Sequence, residues 1–182
     1  MDRFQSKYFT VLPKKSEILS QLSKLEIGKI NNIFLFEYSS CSAVFCVEVI
    51  DKNNKQFKIV IRGEQQSGNV PRPENSYSLE KEIVAYKLIL ELGLNVPKVL
   101  FNSKIFSVPG YDEEGMNVKD FNFFLLSYVE GIAVDKKIKT VDDDEKLFWL
   151  NKVSGIMAKV HSVKGQEYGF VVQYKNASFK TK

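Results

Sequence analysis

Histidine, cysteine and tryptophan are almost missing from this chain of 182 residues, which holds one His, two Cys and one Trp. With His161 as the sole histidine and no CxxC pair, there is almost no material for a zinc site. Cys41 and Cys46 lie on one arm of an expected hairpin. Strand alternation turns them to opposite faces, so no disulfide is expected between them. No stretch approaches the run of about 18 apolar residues that a membrane-spanning helix needs, so no membrane partner is expected. The opening MDRFQSKYFTVLPKK lacks the continuous apolar core of a secretory leader, and a reduced, cytoplasmic protein fits best. Internal repeats and low-complexity tracts are also missing. Nor does one sign of charge dominate, since 26 basic residues stand against 22 acidic ones, a net charge of +4. They are spread along the chain, which argues against a nucleic-acid partner and mildly favours an anionic ligand.

What is present is the material of a folded core. Hydrophobic residues make up 44% of the chain and aromatic residues 13%, a balance that excludes disorder. The length suits one domain, or a domain and part of another. Residues Ser16 to Leu25 put Ile18, Leu19, Leu22 and Leu25 on one helical face, with Ser16 as the expected N-cap. The pattern then changes to strands: INNIFLFEY, AVFCVEVI and QFKIVIRG. The turn-rich Asp51-Lys52-Asn53-Asn54-Lys55 makes the second and third an antiparallel hairpin. Two more strands are expected, KVLFNSKIF and FNFFLLSYV, separated by an irregular acidic stretch from Val108 to Asp120. Phe121 to Val129 is apolar enough to be covered on both faces.

Between the first two strands lies Ser39-Ser40-Cys41-Ser42. Such small residues allow close backbone approach and could present amides and hydroxyls to phosphate, although a plain turn has the same composition. Glu64 to Tyr77, with Gly68, Pro71 and Pro73, reads as a loop. After Asp135 to Thr140, a lysine-rich connection, Val141 to Val163 is helical. Asp142 and Glu145 are spaced as a capping pair, and Asp143 and Asp144 suit the helix dipole better than a metal site. Leu147, Leu150, Val153, Met157 and Val160 form its apolar face. His161 near its end has no nucleophile and orienting partner in any recognisable motif.

The segment that organises the rest is Phe57 to Gly93: a strand ending in a cation, a loop, and the helix SLEKEIVAYKLILELG. Leu79, Ile83, Tyr86, Ile89 and Leu90 make one apolar stripe, and Glu82 lies inside its edge. Burying a lone carboxylate costs several kcal/mol. Either Glu82 bends out to solvent, as most glutamates near a helix start do, or it pairs with Arg62 at the end of the strand.

Five strands with a helix after the third, a hinge-like Glu130-Gly131 and then helices give the layout of a kinase small lobe followed by the start of a large one. The local sequences resemble the aminoglycoside phosphotransferase and choline kinase-like family. SSCSAVFCVEV is similar to its phosphate-covering loop. FKIVIRG resembles its third strand, with Arg62 where the phosphate-contacting base stands. LEKEIVAYKLILELGLNVPKVL resembles the helix whose glutamate, here Glu82, orients that base. FLLSYVEG resembles the strand and linker that meet adenine, and GIMAKVHSVKGQEYGF the first long helix of the large lobe. The likeness runs from about Ile30 to Phe170.

The resemblance implies an α+β fold: residues 1–29 as a helical extension, 30–131 as a kinase-like, nucleotide-binding lobe with a five-stranded antiparallel sheet and one main helix, and 132–182 as the linker and beginning of a helical lobe. It implies ATP or GTP with Mg²⁺ as cofactor and a small-molecule hydroxyl as acceptor. Nucleotide-binding residues by this likeness are Arg62, Glu82, Ser39, Ser40, Cys41, Ser42, Ser127, Tyr128 and Val129. It also favours the Arg62–Glu82 pair over an exposed Glu82.

Two departures stand out. Arginine replaces the usual lysine, giving a fork rather than a point charge for phosphate oxygens. The family's His-Gly-Asp segment, with an asparagine five residues beyond the aspartate, does not occur, and neither does its later metal-binding aspartate. His161 is followed by Ser162 and Val163. No catalytic or metal-binding residue is therefore assigned, and the chain is not expected to turn over alone. The apolar face of 141–163 is expected to be exposed and to drive self-association.

Overall fold

A computed structural model describes residues 2, 4, 11–36, 42–65 and 78–163. In chain order the elements are α1 (Lys15–Ser23), β1 (Lys29–Leu35), β2 (Ser42–Ile50), β3 (Gln56–Gln65), α2 (Leu79–Glu91), a single 3-10 turn (Phe101–Ser103), β4 (Phe106–Tyr111), β5 (Asn117–Ser127), α3 (Val134–Lys137) and α4 (Asp143–His161). The fold is α+β, with one five-stranded sheet in the order β1-β2-β3-β5-β4 and every neighbouring pair antiparallel. Among the described residues no helix is long and apolar enough to cross a membrane.

Alternation divides the sheet into two faces. Phe45, Ile61 and Leu125 stand opposite one another on β2, β3 and β5, with Val47 facing Ile59 and Phe106 facing Phe123. These residues, with Ile33, Val49, Val108 and Phe121, form the main core. Ile18 and Leu22 of α1 are fully buried in the same core, so the N-terminal extension packs on the sheet. The opposite face carries the row Val44, Arg62, Phe124 and the row Phe34, Cys46, Val60, Leu126. Cys46 is a free, buried thiol, and burial raises its pKa above the ordinary value.

The β2–β3 hairpin closes as its composition requires. Asp51 Oδ1 accepts the amides of Asn53 (2.8 Å) and Lys55 (2.9 Å), and Asn54 takes the left-handed φ of 61°. Phe121, Phe123, Phe124, Leu125 and Leu126 are all buried, as expected for a strand flanked by two others.

Several expectations are corrected. The helix start is capped from afar. Ser16 lies inside α1 and donates its amide (2.8 Å) and hydroxyl (2.6 Å) to the Asp2 carboxylate. Those two bonds, the hydroxyl first, hold the Asp2 pKa below its ordinary value. The Lys14 amide is met by Glu17 (3.2 Å), and Glu17 also receives the Tyr111 hydroxyl. The fourth strand lies later than its apolar run suggested. Residues 98–100 meet β5 by an isolated bridge, Val99 to Leu126, rather than as a strand, and the chain then turns through three consecutive positive φ values at Phe101, Asn102 and Ser103. β4 instead occupies part of the expected irregular stretch, Pro109 and Gly110 included. Proline is tolerated because β4 is an edge strand and its missing donor leaves no inner ladder broken. The β4–β5 turn is held by Asp112 Oδ1, which accepts from Gly115 (2.8 Å) and Met116 (2.9 Å). β3 does not stop at Gly63 but runs to Gln65.

By contact the chain divides into two compact units, one of Met1–Ile83 with Pro97–Tyr128, the other of Val84–Val96 with Val129–Lys182. The first contains the sheet, α1 and the start of α2, Leu79 to Ile83. In the second, α2 ends at Gly93 (φ 70°), whose amide bonds Leu90 O (2.9 Å). α4 starts at Asp142, whose side chain caps the Glu145 amide (2.8 Å) as the spacing implied. The Glu145 carboxylate, however, turns to Lys137 (3.3 Å) and Trp149 Nε1 (3.2 Å) rather than back to the cap. No residue of α4 is buried.

Candidate functional site

Arg62 projects from the face of β3 opposite the main core, because it alternates with Ile61 and Gly63, which point inward. α2 enters that face. Ser78 caps it through the Lys81 amide (3.3 Å), and Leu79 and Ile83 are buried at 5% exposure each. One helical turn places Glu82 between them and towards the strand. Arg62 Nε donates to Glu82 Oε1 at 2.8 Å, with the two side chains only 22% and 16% exposed. Of the two readings open for Glu82, the ion pair is the one adopted. The geometry is that of a charge-assisted hydrogen bond, stronger than a neutral one because both partners are ionised. The Nε donor, one of the five N–H donors of the guanidinium, is the one engaged with Glu82.

Alternation along β3 also places Lys58 and Val60 on the Arg62 face. Lys58 Nζ lies 3.8 Å from Glu48 and 5.4 Å from the centre of the Tyr128 ring. Tyr128 follows the last residue of β5, so the end of that strand and Arg62 belong to one face of the sheet. Between Lys58 and Arg62 the surface is apolar, formed by half-buried Val44 and Val60 over buried Cys46 and Leu126. In the register, Ser127 pairs with Ile59 and Arg62 with Phe124, a separation of about 10 Å along the ladder at ~3.3 Å per residue.

The remaining expected residues divide. Ser127 is committed: its amide donates to Lys98 O (2.9 Å) and its hydroxyl accepts the Lys98 amide (2.8 Å). Its pairing with Ile59 also turns its side chain to the core face. Tyr128 and Val129 lie beyond the strand, Val129 being half exposed at 50%. Ser39, Ser40 and Cys41 fall outside the described residues. Ser42 opens β2 and is fully buried, so its side chain is turned into the protein. Lys58 was not singled out from the sequence. The signal was available, since it stands two strand periods before Arg62 and therefore shares its face.

Beyond Arg62, Glu64 continues the same side, with Lys119 at 3.3 Å and Asn122 Nδ2 at 3.2 Å. Among the described residues no group of three or more His, Cys, Asp or Glu is placed to hold a metal ion. The Asp142–Asp144 run serves the start of α4, with Asp143 paired to Lys146 at 2.7 Å. His161 is exposed at the other end of that helix.

No family model matches the chain, and no curated protein or solved structure matches it either.

Proposed function

We propose that the chain is the nucleotide-binding part of a cytoplasmic small-molecule phosphotransferase of the aminoglycoside phosphotransferase type, with a kinase-like small lobe built on β1–β5 and α2. The observation that carries this reading is the Arg62–Glu82 bond, a largely covered ion pair joining the third strand to the helix that follows it. An ionised side chain held in place by its counter-charge is pre-organised for a second anion, and positioning plus charge neutralisation is most of what phosphoryl transfer asks of a protein. Arg62 holds the α- and β-phosphates of ATP or GTP, and Glu82 orients Arg62. The loop Ser39 to Ser42 covers the phosphates, and backbone groups at Tyr128 and Val129 meet the base. The order of elements supports the same reading, since a helix follows the third strand and helices follow the fifth. With the His-Gly-Asp segment missing from these residues, γ-phosphate transfer to an acceptor hydroxyl and the Mg²⁺ ligands are assigned to no residue of this chain.

The test is a thermal-shift and calorimetric titration with MgATP and MgGTP. Ligand at about 100 times Kd stabilises the folded state by about 2.7 kcal/mol. The expected result is a saturable shift for the wild type that Arg62→Ala abolishes. No shift for the wild type, or equal shifts for both proteins, overturns the nucleotide reading. Either result would favour a non-catalytic binding module that keeps the same sheet and ion pair for a protein partner.

A further inference from the structure

On the Arg62 side of the sheet the register sets three rows across β2, β3 and β5. Arg62 stands in the first, the apolar floor over Cys46 and Leu126 is the second, and Glu48, Lys58 and Tyr128 make the third. Arg62 and Lys58 are four residues apart on β3, about 13 Å at ~3.3 Å per residue. A nucleotide with its phosphates at Arg62 and its base laid on the floor brings the polar edge of that base to the third row. Lys58 is held there from two sides. Its Nζ is 3.8 Å from Glu48 Oε1 and 5.4 Å from the centre of the Tyr128 ring, within the range of cation–π attraction. Burial raises the Cys46 pKa, and the charges of Lys58 and Glu48 act on that thiol in opposite directions, so both stand beside the floor.

The order of these groups across the sheet decides what they recognise. Since β3 lies between β2 and β5, Lys58 stands between Glu48 and Tyr128. A base that meets the backbone at Tyr128 therefore meets the ammonium before the carboxylate. An ammonium has three donors and no acceptor. Guanine offers it two neighbouring acceptors, O6 and N7, whereas adenine puts an amino donor at N6 beside N7 and is matched by an amide such as that of Gln. We propose that Lys58, steadied by Glu48 and Tyr128, selects guanine over adenine, so that the nucleotide of this site is GTP. The inference rests on the nucleotide reading of the Arg62 face and adds to it the choice of base.

Calorimetric titration of the full 182-residue chain with MgGTP, MgATP and MgITP tests it, for the wild type and Lys58→Gln. The base of ITP keeps O6 and N7 and lacks only the N2 amino group of guanine. The wild type is expected to bind MgGTP at least about tenfold tighter than MgATP, and MgITP within about threefold of MgGTP. Lys58→Gln is expected to bring the preference for MgGTP over MgATP down to about one or to reverse it, because an amide suits adenine. The Lys58 side chain is 43% exposed and its ion pair is of the weakly stabilising surface kind, so the fold survives the change, and the MgITP comparison needs no variant. Saturable binding with equal affinity for MgGTP and MgATP, MgITP as weak as MgATP, or an unchanged preference in Lys58→Gln overturns the choice of base and leaves the nucleotide reading standing. Binding of none of the three removes both.

Discussion

Removing either end of the Arg62–Glu82 bond tests whether that pair holds α2 to the sheet, and the structure sets the size of the effect. An exposed ion pair contributes about 0.2–1 kcal/mol, whereas a hydrogen bond to a charged group contributes about 1.5–3 kcal/mol. With the two side chains 22% and 16% exposed and the bond 2.8 Å long, the pair stands nearer the second class. Some solvent screening remains, so a coupling energy of about 1–2 kcal/mol is expected. Each single change costs more than the coupling, because it leaves a mostly covered charge facing a lost partner. Full burial would make that about 3–5 kcal/mol, and the residual exposure lowers it to about 2–3 kcal/mol. In a chain of this length that is about 4–12 °C in Tm. The assay is urea and thermal unfolding of wild type, Arg62→Ala, Glu82→Ala and the double variant. The double variant should lose less than the sum of the two singles by the coupling energy. A coupling below about 0.5 kcal/mol, within ordinary additivity, would refute the reasoning.

Gly63 admits no side chain: a Cβ there would stand 2.3 Å from Phe121 Cζ and 2.9 Å from Ala43 O. Gly63→Ala is therefore expected to destabilise by about 1–3 kcal/mol in denaturant unfolding, and an unchanged midpoint would contradict the packing. Gly155 is the opposite case, with nothing within 4 Å of its Cβ position inside α4, so Gly155→Ala should stabilise by about 0.5–1 kcal/mol. Asp2→Ala should lower Tm at neutral pH by freeing the start of α1. Because hydrogen bonds from Ser16 depress the Asp2 pKa, the wild type's advantage is present above the ordinary carboxylate range and is lost as acid protonates the folded-state group. A difference between the two proteins that persists below about pH 2 would rule out that cap. Cys46, buried and with its pKa raised, should react with a thiol reagent at the rate of unfolding rather than at that of a free thiol, which stopped-flow labelling reads directly.

Much of the fold was legible because it rests on local rules. The Asp51 to Lys55 turn, the Gly93 stop, the Asp142 cap and the doubly covered run at Phe121 are each decided within a few residues of chain. The pairing of Arg62 with Glu82 was half legible. Stripe geometry offered it, but a carboxylate near a helix start has an equally good home in solvent. Which home it takes depends on whether β3 lies beneath α2. Lys58 and Tyr128 went unnoticed as neighbours for a similar reason: each has an ordinary local pattern, and only the β3–β5 register brings them to one face.

By itself, then, the order of residues determined an α+β chain with three strands, a helix and two more strands, an acid on that helix and a base on the third strand as candidates to pair, and a last helix with an apolar stripe. Tertiary structure decided that Asp2 rather than Ser16 caps α1, that β4 is the Pro109 segment rather than the apolar run before it, and that β3 passes beyond Gly63. In each of these the deciding partner is distant in sequence: Asp2 for Ser16, Asp120 for Pro109, Phe121 for Gly63. Caps, edges and close contacts depend on what arrives from elsewhere, and hydrophobic periodicity carries no record of that.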